Sequence, residues 1–516
     1  TTLTSSKITI AVGQPFPILL PHSQDISLAM YVRIANILVA AIIAVNSTGC
    51  DAPRHNEDTW KRDQPPATLR IDYLHTGSAD SESFSLDDLI VEGPWPGRLD
   101  RSIDRLQYGP YFFEVRDVAS GEPLYSRGFG SIFGEWQTTA EARDTTLSFE
   151  ESLRFPKTDL PVELVVSKRD RDLILREVWR TEIDPSQARP LTTNPADKVW
   201  NILESGPPST KVDLLMLGDG YTLEEMDKWH ADARRLADTL LSHEPFLTHR
   251  ADFNVRAIDS PSLNSGISSP STGVIHETPI GATYDSFNMQ RYVLTFANKR
   301  WRDIAAAAPY EFVVIIANNR QYGGAGIYNL YSTVAADHEY TAYVLVHEFG
   351  HQFAGLGDEY YTSDVTYEID QSRPEPWSPN VTADPIHPKW KDLVDPSTPL
   401  PTPWPKEAFD QIQTDIQSQR RELRRRNASE KEVEALFAKE RARTRELLSQ
   451  AEYADDIGAF EGANYVSKGY YRPQIDCIMF TRERRKFCRV CTNAIARVID
   501  EFAAPTGSLA MPSVVE

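Results

Sequence analysis

His347-Glu348-Phe349-Gly350-His351-Gln352-Phe353-Ala354-Gly355-Leu356-Gly357-Asp358-Glu359 is the stretch on which the reading of this chain turns. Two histidines stand four residues apart, with a carboxylate directly after the first. On a helix that spacing puts both imidazoles on one face, one turn apart, where a single Zn²⁺ can be held. Glu348 then lies beside the metal, placed to take a proton from a bound water. The preceding Thr341-Ala342-Tyr343-Val344-Leu345-Val346 is apolar enough for a buried helix, and Gly355 and Gly357 end it and turn the chain back. The same five-residue pattern also arises on ordinary surface helices. The apolar approach and the acidic pair just past a glycine turn set this instance apart.

The sequence before the helix supplies a frame for it. Residues 312–316 read as a buried strand, residues 321–326 as a glycine-rich turn, and residues 327–335 as an edge strand. An exposed edge strand above a metal can hold an extended peptide by adding it to the sheet. Gly323 and Gly324 either permit close backbone approach or simply make the turn. Farther upstream, residues 212–217 are a buried strand, and Gly218-Asp219-Gly220-Tyr221 is a structural turn whose Asp219 could line a cleft. Thr222 and Glu225 form a capping box for a helix with Met226, Trp229, Ala233, Leu236 and Leu240 on its apolar face. Residues 253–257 give a further strand, and residues 289–307 read as a helix.

The first half has another texture. From residue 68 to about 185, short β-rich runs (68–73, 111–115, 146–149, 162–166, 174–178) alternate with turn signals, which predicts an antiparallel sandwich. Trp95, Phe129 and Trp136 read as its core, and no catalytic constellation stands out there. Residues 401–456 change texture again: prolines give way to long charged helical sequence, read as a helical hairpin with solvated faces inserted into the second domain. The fold class expected is therefore α+β, with the sandwich over residues 68–185 and the metal-binding domain over residues 196–516.

A chain of 516 residues, 41% of them hydrophobic, is long enough for two or three cores. Its formal charge of −20 argues against nucleic acid and anionic lipid headgroups as partners. Arg33 precedes the apolar run 34–45, which only Asn36 interrupts, and Ser47-Thr48-Gly49-Cys50 follows. This predicts a signal peptide over residues 30–50, too short to span a bilayer, preceded by an upstream extension over residues 1–29. Gly49-Cys50 resembles the cleavage box of bacterial lipoproteins, with Cys50 as the lipid anchor and residues 51–67 as the tether; Ser47 departs from that box. An exported, envelope location follows from either an anchor or a plain secretory signal. For Cys477, Cys488 and Cys491 the default in an exported protein is one disulfide and one free thiol. Cys488-Arg489-Val490-Cys491 could instead suggest a zinc knuckle, but a partner CxxC pair is absent.

Several segments occur in an order that points to a family. They are residues 217–222, 347–360, Gly458-Ala459-Phe460-Glu461-Gly462-Ala463-Asn464-Tyr465, residues 468–473 and Cys477-Ile478-Met479. Together they resemble the bacterial IgA-peptidase-type zinc metallopeptidases over about residues 196–500. The β-rich domain before them looks like that family's N-terminal module, and the helical insertion is a departure from its usual form. The resemblance implies a zincin-like catalytic domain, one Zn²⁺ and a polypeptide substrate. Carried over, His347 and His351 are zinc ligands, Glu348 the general base, and Met479 the floor beneath the metal. Where the extended zincin motif has its third histidine this chain has Gly357. Asp358, one residue later, is taken as the third ligand in preference to Glu359, which could orient a ligand from behind. Tyr360, Tyr470 and Tyr471 are the candidates for oxyanion stabilisation. The expected function is an exported zinc endopeptidase. A zinc amidase acting on cell-wall peptides and a weakly catalytic envelope-anchored binding protein are the alternatives, the intact Glu348 speaking against the latter.

Overall fold

The structure, a computed structural model, describes residues 64–504 apart from 193, 195–196, 363–371, 427, 429 and 483–485. The expected upstream extension, signal peptide, Cys50 and most of the tether lie outside the described residues. No helix among the described residues is long and apolar enough to cross a membrane.

The β-rich half folds as two four-stranded sheets. Its strands are β1 (Ala67–Ser78), β2 (Ser81–Pro94), β3 (Tyr111–Asp117), β4 (Pro123–Phe129), β5 (Leu147–Pro156), β6 (Val162–Arg169), β7 (Leu175–Ile183) and β8 (Arg189–Pro190). One sheet has the order β5-β1-β2-β8 and the other β4-β3-β6-β7. All pairings are antiparallel except the short β2–β8 pair. Alternate residues of β1 (Leu69, Ile71, Tyr73) share one core with Tyr111, Phe113 and Val115 of β3 and Leu164 and Val166 of β6. That period of two is what the sequence pattern encoded. Trp95 and Phe129 join this core, while Trp136, on the short helix α1 (Ile132–Gln137), packs instead against the second half.

A buried charge cluster ties the sandwich together. His75 Nδ1 lies 3.1 Å from Glu151 and its Nε2 3.2 Å from Glu82, which also accepts hydrogen bonds from Tyr111 (2.8 Å) and Lys168 (3.1 Å). Burial pushes the Glu82 carboxyl up, but His75, Lys168 and Tyr111 outweigh it and bring it down to about 2. A carboxylate so depressed contributes stability above its unfolded pKa and loses it as pH falls from roughly 4.5 toward 2. Glu82→Gln is therefore expected to cost about 1 kcal/mol at pH 7, discounted for the side chain's partial exposure. The loss should shrink as pH falls below about 4.5 and vanish only below about pH 2, as read from melting curves across that range.

The second half is built on a six-stranded sheet of order β15-β16-β14-β10-β11-β9. These strands are β9 (Lys198–Leu203), β10 (Val212–Asp219), β11 (Phe253–Asp259), β14 (Phe312–Ala317), β15 (Gly324–Ile327) and β16 (Tyr331–Ala335); β12 (Ala282–Thr283) and β13 (Leu294–Thr295) form a separate pair. The four inner strands are parallel, and β9 and β15 run antiparallel at the two edges. Both faces are covered, which is why β14 and the Leu214–Leu217 stretch of β10 read as continuous apolar runs. Leu214, Met216, Val314 and Ile316 face α2 (Met226–Leu241), α4 (Thr341–Ala354) and α7 (Arg489–Phe502). Leu215, Leu217, Val313 and Ile315 face α3 (Asn298–Ala305) and the sandwich's Phe133, Trp136 and Phe149. The capping box of Thr222 and Glu225 forms as expected.

Three expectations need correction. The edge strand is Gly324–Ile327, and the expected edge segment around Tyr331–Ala335 is an interior strand, buried throughout between β14 and β15. Glycines conceal a strand from pattern reading because they carry no side chain to alternate. The helix expected over residues 289–307 is confined to Asn298–Ala305, since Leu294–Thr295 pairs as a strand with Ala282–Thr283. Asp219 does not line a cleft: it is fully buried and accepts hydrogen bonds from Thr278 Oγ1, Ile280 N and Ala282 N. The helical insertion is a hairpin of α5 (Lys406–Arg425) and α6 (Glu430–Ser449), joined through Ile412, Ile416 and Leu436.

Candidate metal centre

Helix α4 runs directly beneath edge strand β15, and their closeness depends on glycine. A Cβ on Gly326 would stand 2.1 Å from the Glu348 carbonyl oxygen, and one on Gly324 2.5 Å from Val344. The Glu348 and His351 turns can thus lie against the strand's backbone. Gly355 ends the helix in the left-handed region (φ +60°), its N–H bonding back to His351 O at 3.0 Å, and the chain reverses toward Asp358.

The reversal brings three ligand-type atoms together. His347 Nε2 and His351 Nε2 are 3.1 Å apart, and Asp358 Oδ1 lies 3.0 Å from the first and 3.3 Å from the second. The other ring nitrogens face carbonyls, His347 Nδ1 against Ile478 O (3.0 Å) and His351 Nδ1 against Leu356 O (2.5 Å). Only a protonated Nδ1 satisfies a carbonyl, so in the neutral rings both Nε2 lone pairs point at Asp358. Asp358 Oδ1 itself is buried without a hydrogen-bond partner. Three electron-rich atoms facing one another at 3.0–3.3 Å call for a cation between them. Ligands about 2.0–2.1 Å from one tetrahedral Zn²⁺ would be separated by about 3.3 Å, so the donor set fits that ion.

Surrounding groups hold the cluster. Tyr465 Oη donates to Asp358 Oδ2 at 2.5 Å, and Asn464 N donates to Asp358 O at 2.9 Å. Met479 is fully buried, and its sulfur would lie 3.3 Å from a Cβ on Gly350, against the helix turn between the two histidines. Glu348 lines the same cleft. Burial pushes its carboxyl up, the two imidazoles pull it down, and Asp358 pushes it up again, leaving it above the ordinary carboxylate range. Burial alone would lower the His351 imidazole, but Asp358 and Glu348 outweigh it and raise it, so that without a metal ion a proton would share this strongly negative cluster.

The cleft above has a volume of about 690 Å³. The edge strand and α4 form its floor, and the α5–α6 hairpin forms one wall through Phe409, Gln417 and Arg441. The insertion is thus not only a solvated appendage, as its charged sequence suggested. The sandwich also reaches the rim, through Arg169 and Asp170.

Of the sequence candidates, His347, Glu348, His351 and Asp358 come together, while Glu359 points away, into a cluster of the three cysteines. Tyr360 lines the cleft with its ring 6.2 Å from His347. Tyr470 donates its hydroxyl to Pro374 O at 2.9 Å, and Tyr471 sits in β18 (Val466–Arg472), paired with Glu461 of β17 (Phe460–Ala463). Tyr465 was missed as a site residue although it ends one of the quoted motifs. Asn380, whose amide bonds Gly357 N, Gly357 O and Glu359, carried no sequence signal.

A helix presenting two histidines and an acid under an antiparallel edge strand defines a metal-dependent hydrolase class. Comparison with protein families narrows it to a peptidase. The family described as IgA Peptidase M64 matches residues 200–499, and its companion, Peptidase M64 N-terminus, matches residues 60–180. The chain belongs to the IgA peptidase M64 family of metallopeptidases, which implies a metal cofactor and a polypeptide substrate. Among curated proteins none matches this chain.

Proposed function

We propose that the protein is a zinc-dependent endopeptidase in which His347, His351 and Asp358 hold the ion and Glu348 is the general base. The observation that carries this reading is the convergence of the two Nε2 atoms on a buried, unpartnered Asp358 Oδ1 beside Glu348. When bound, Zn²⁺ supplies Lewis acidity for the scissile carbonyl and for a water. The chain's own groups do the rest. The outward edge of β15 at Gly326 offers backbone N–H and C=O groups to an extended substrate, fixing its register over α4, while Gly324 N is already bonded to Arg291 O at 3.2 Å. Glu348 takes the proton of the attacking water and delivers it to the leaving amine nitrogen. Tyr465 orients Asp358 through its hydroxyl, and Met479 supports the histidine turns from below. Tyr360 is the remaining oxyanion candidate, since it lines the cleft and the Tyr470 hydroxyl is engaged elsewhere.

The test compares zinc content and peptide-library cleavage for the wild type and Asp358→Ala. The variant should lose one zinc per chain and all measurable cleavage. Full cleavage by Asp358→Ala would remove this residue from the ligand set, and cleavage of cell-wall peptides alone would move the reading to an amidase.

The proposal includes export to the cell envelope, supported by Arg33, the apolar run 34–45 and Gly49-Cys50. Intact mass of the protein purified from a bacterial membrane fraction should correspond to a chain beginning at a lipid-modified Cys50. A full-length cytosolic product would reject it.

A further inference from the structure

Glu359, Cys477, Cys488 and Cys491 are all buried, and one ligand atom from each lies within 4.8 Å of every other. None of the cysteines is in a disulfide, contrary to the expected pair. The Cys477 and Cys491 sulfurs are 3.9 Å apart, far beyond a bonded S–S distance of about 2.05 Å. Sulfurs about 2.3 Å from one tetrahedral Zn²⁺ would be separated by about 3.8 Å, close to the separation found. Glu359 completes the set, with Oε1 3.3 Å from Cys491 Sγ and Oε2 buried without any hydrogen-bond partner.

Backbone N–H donors and a buried cation lie near the sulfurs. Cys488 caps the N-terminus of α7, its sulfur accepting from Cys491 N at 3.4 Å, and Cys488 N points at Cys477 Sγ at 3.2 Å. A helix N-terminus and N–H···S contacts both stabilise negative sulfur. The fully buried Arg472 guanidinium adds a positive charge that acts on Glu359 and Cys477. Three thiolates and a carboxylate around a divalent ion carry a net charge of −2, so a buried cation nearby is what such a site requires.

We propose that Glu359, Cys477, Cys488 and Cys491 form a second, closed Zn²⁺ site, separate from the hydrolytic one and structural in role. Binding replaces the three thiol protons and the Glu359 proton, which pass to solvent, with no change of oxidation state. All four protein ligands leave no position for a substrate. The zinc ties two pieces of the hydrolytic site, the loop carrying Asp358 and the turn carrying Met479, to the start of α7. It thereby supplies the partner for the CxxC pair that the sequence alone lacked.

The test uses the full chain purified without chelator, with zinc counted by elemental analysis and a parallel sample loaded with Co²⁺. Two zinc ions per chain are expected, and the cobalt protein should show intense near-ultraviolet thiolate-to-metal charge transfer. His347→Ala should lower zinc to one per chain and keep that band; Cys488→Ser should remove the band and loosen the fold. Should Cys488→Ser not fold, the wild-type cobalt spectrum decides alone. One zinc with no thiolate band, or a Cys477–Cys491 disulfide by mass spectrometry, would overturn the second site while leaving the proposed peptidase site standing. Two zinc ions with a thiolate band but no peptide cleavage would do the reverse.

Discussion

Glu348→Gln is expected to retain its zinc and lose peptide cleavage by about 10²–10⁴-fold, the range that a positioned general base contributes. The substitution keeps the side chain's shape, removes its basicity, and leaves His347, His351 and Asp358 untouched. Glu348 is not among the converging ligand atoms, so metal content is the control that separates loss of a base from loss of the site. The measurement is kcat/KM on a cleaved library peptide beside zinc content. Cleavage within a factor of three of wild type would exclude Glu348 as the base.

Gly326→Val should be the more damaging change for the site as a whole. Even a single Cβ there would stand 2.1 Å from the Glu348 carbonyl oxygen and 3.0 Å from the His351 Cβ. The obstacle is helix backbone, which cannot swing aside as a long side chain can. Either β15 lifts from α4 or the helix shifts, and both move the two imidazoles relative to Asp358. Overpacking of this severity costs about 3 kcal/mol or more. Cleavage should be abolished and the melting temperature lowered, whereas Gly93→Ala, where an added Cβ meets nothing within 4 Å, should behave like wild type. An active, equally stable Gly326→Val would mean that strand and helix do not lie as close as found.

These two predictions rest on links legible to different degrees in the sequence. The placement of Glu348, the proposed base, beside the two histidines was legible because helical geometry ties residues 347, 348 and 351 together locally. The strand that Gly326 belongs to was not legible: a run with glycine at every second position has no apolar alternation, and it read as a turn. Its identity comes from pairing with Tyr331–Ala335, which is interior because it pairs with β14 on one side and β15 on the other. The sandwich was legible for the opposite reason, since the alternation in β1, β3 and β6 survives in the sequence.

The sequence by itself determined the histidine helix, its glycine stop and the buried strands leading to it, because each depends on contacts within a few residues. Only the tertiary structure separated Asp358 from Glu359. Neighbouring residues outside a helix point to opposite sides of the chain, and composition says nothing about what waits on each side. Here the imidazoles of α4 wait on one side and Cys477, Cys488 and Cys491 on the other, brought there from more than a hundred residues away. Such long-range encounters are fixed by how the sheet and helices pack, and no local spacing records them.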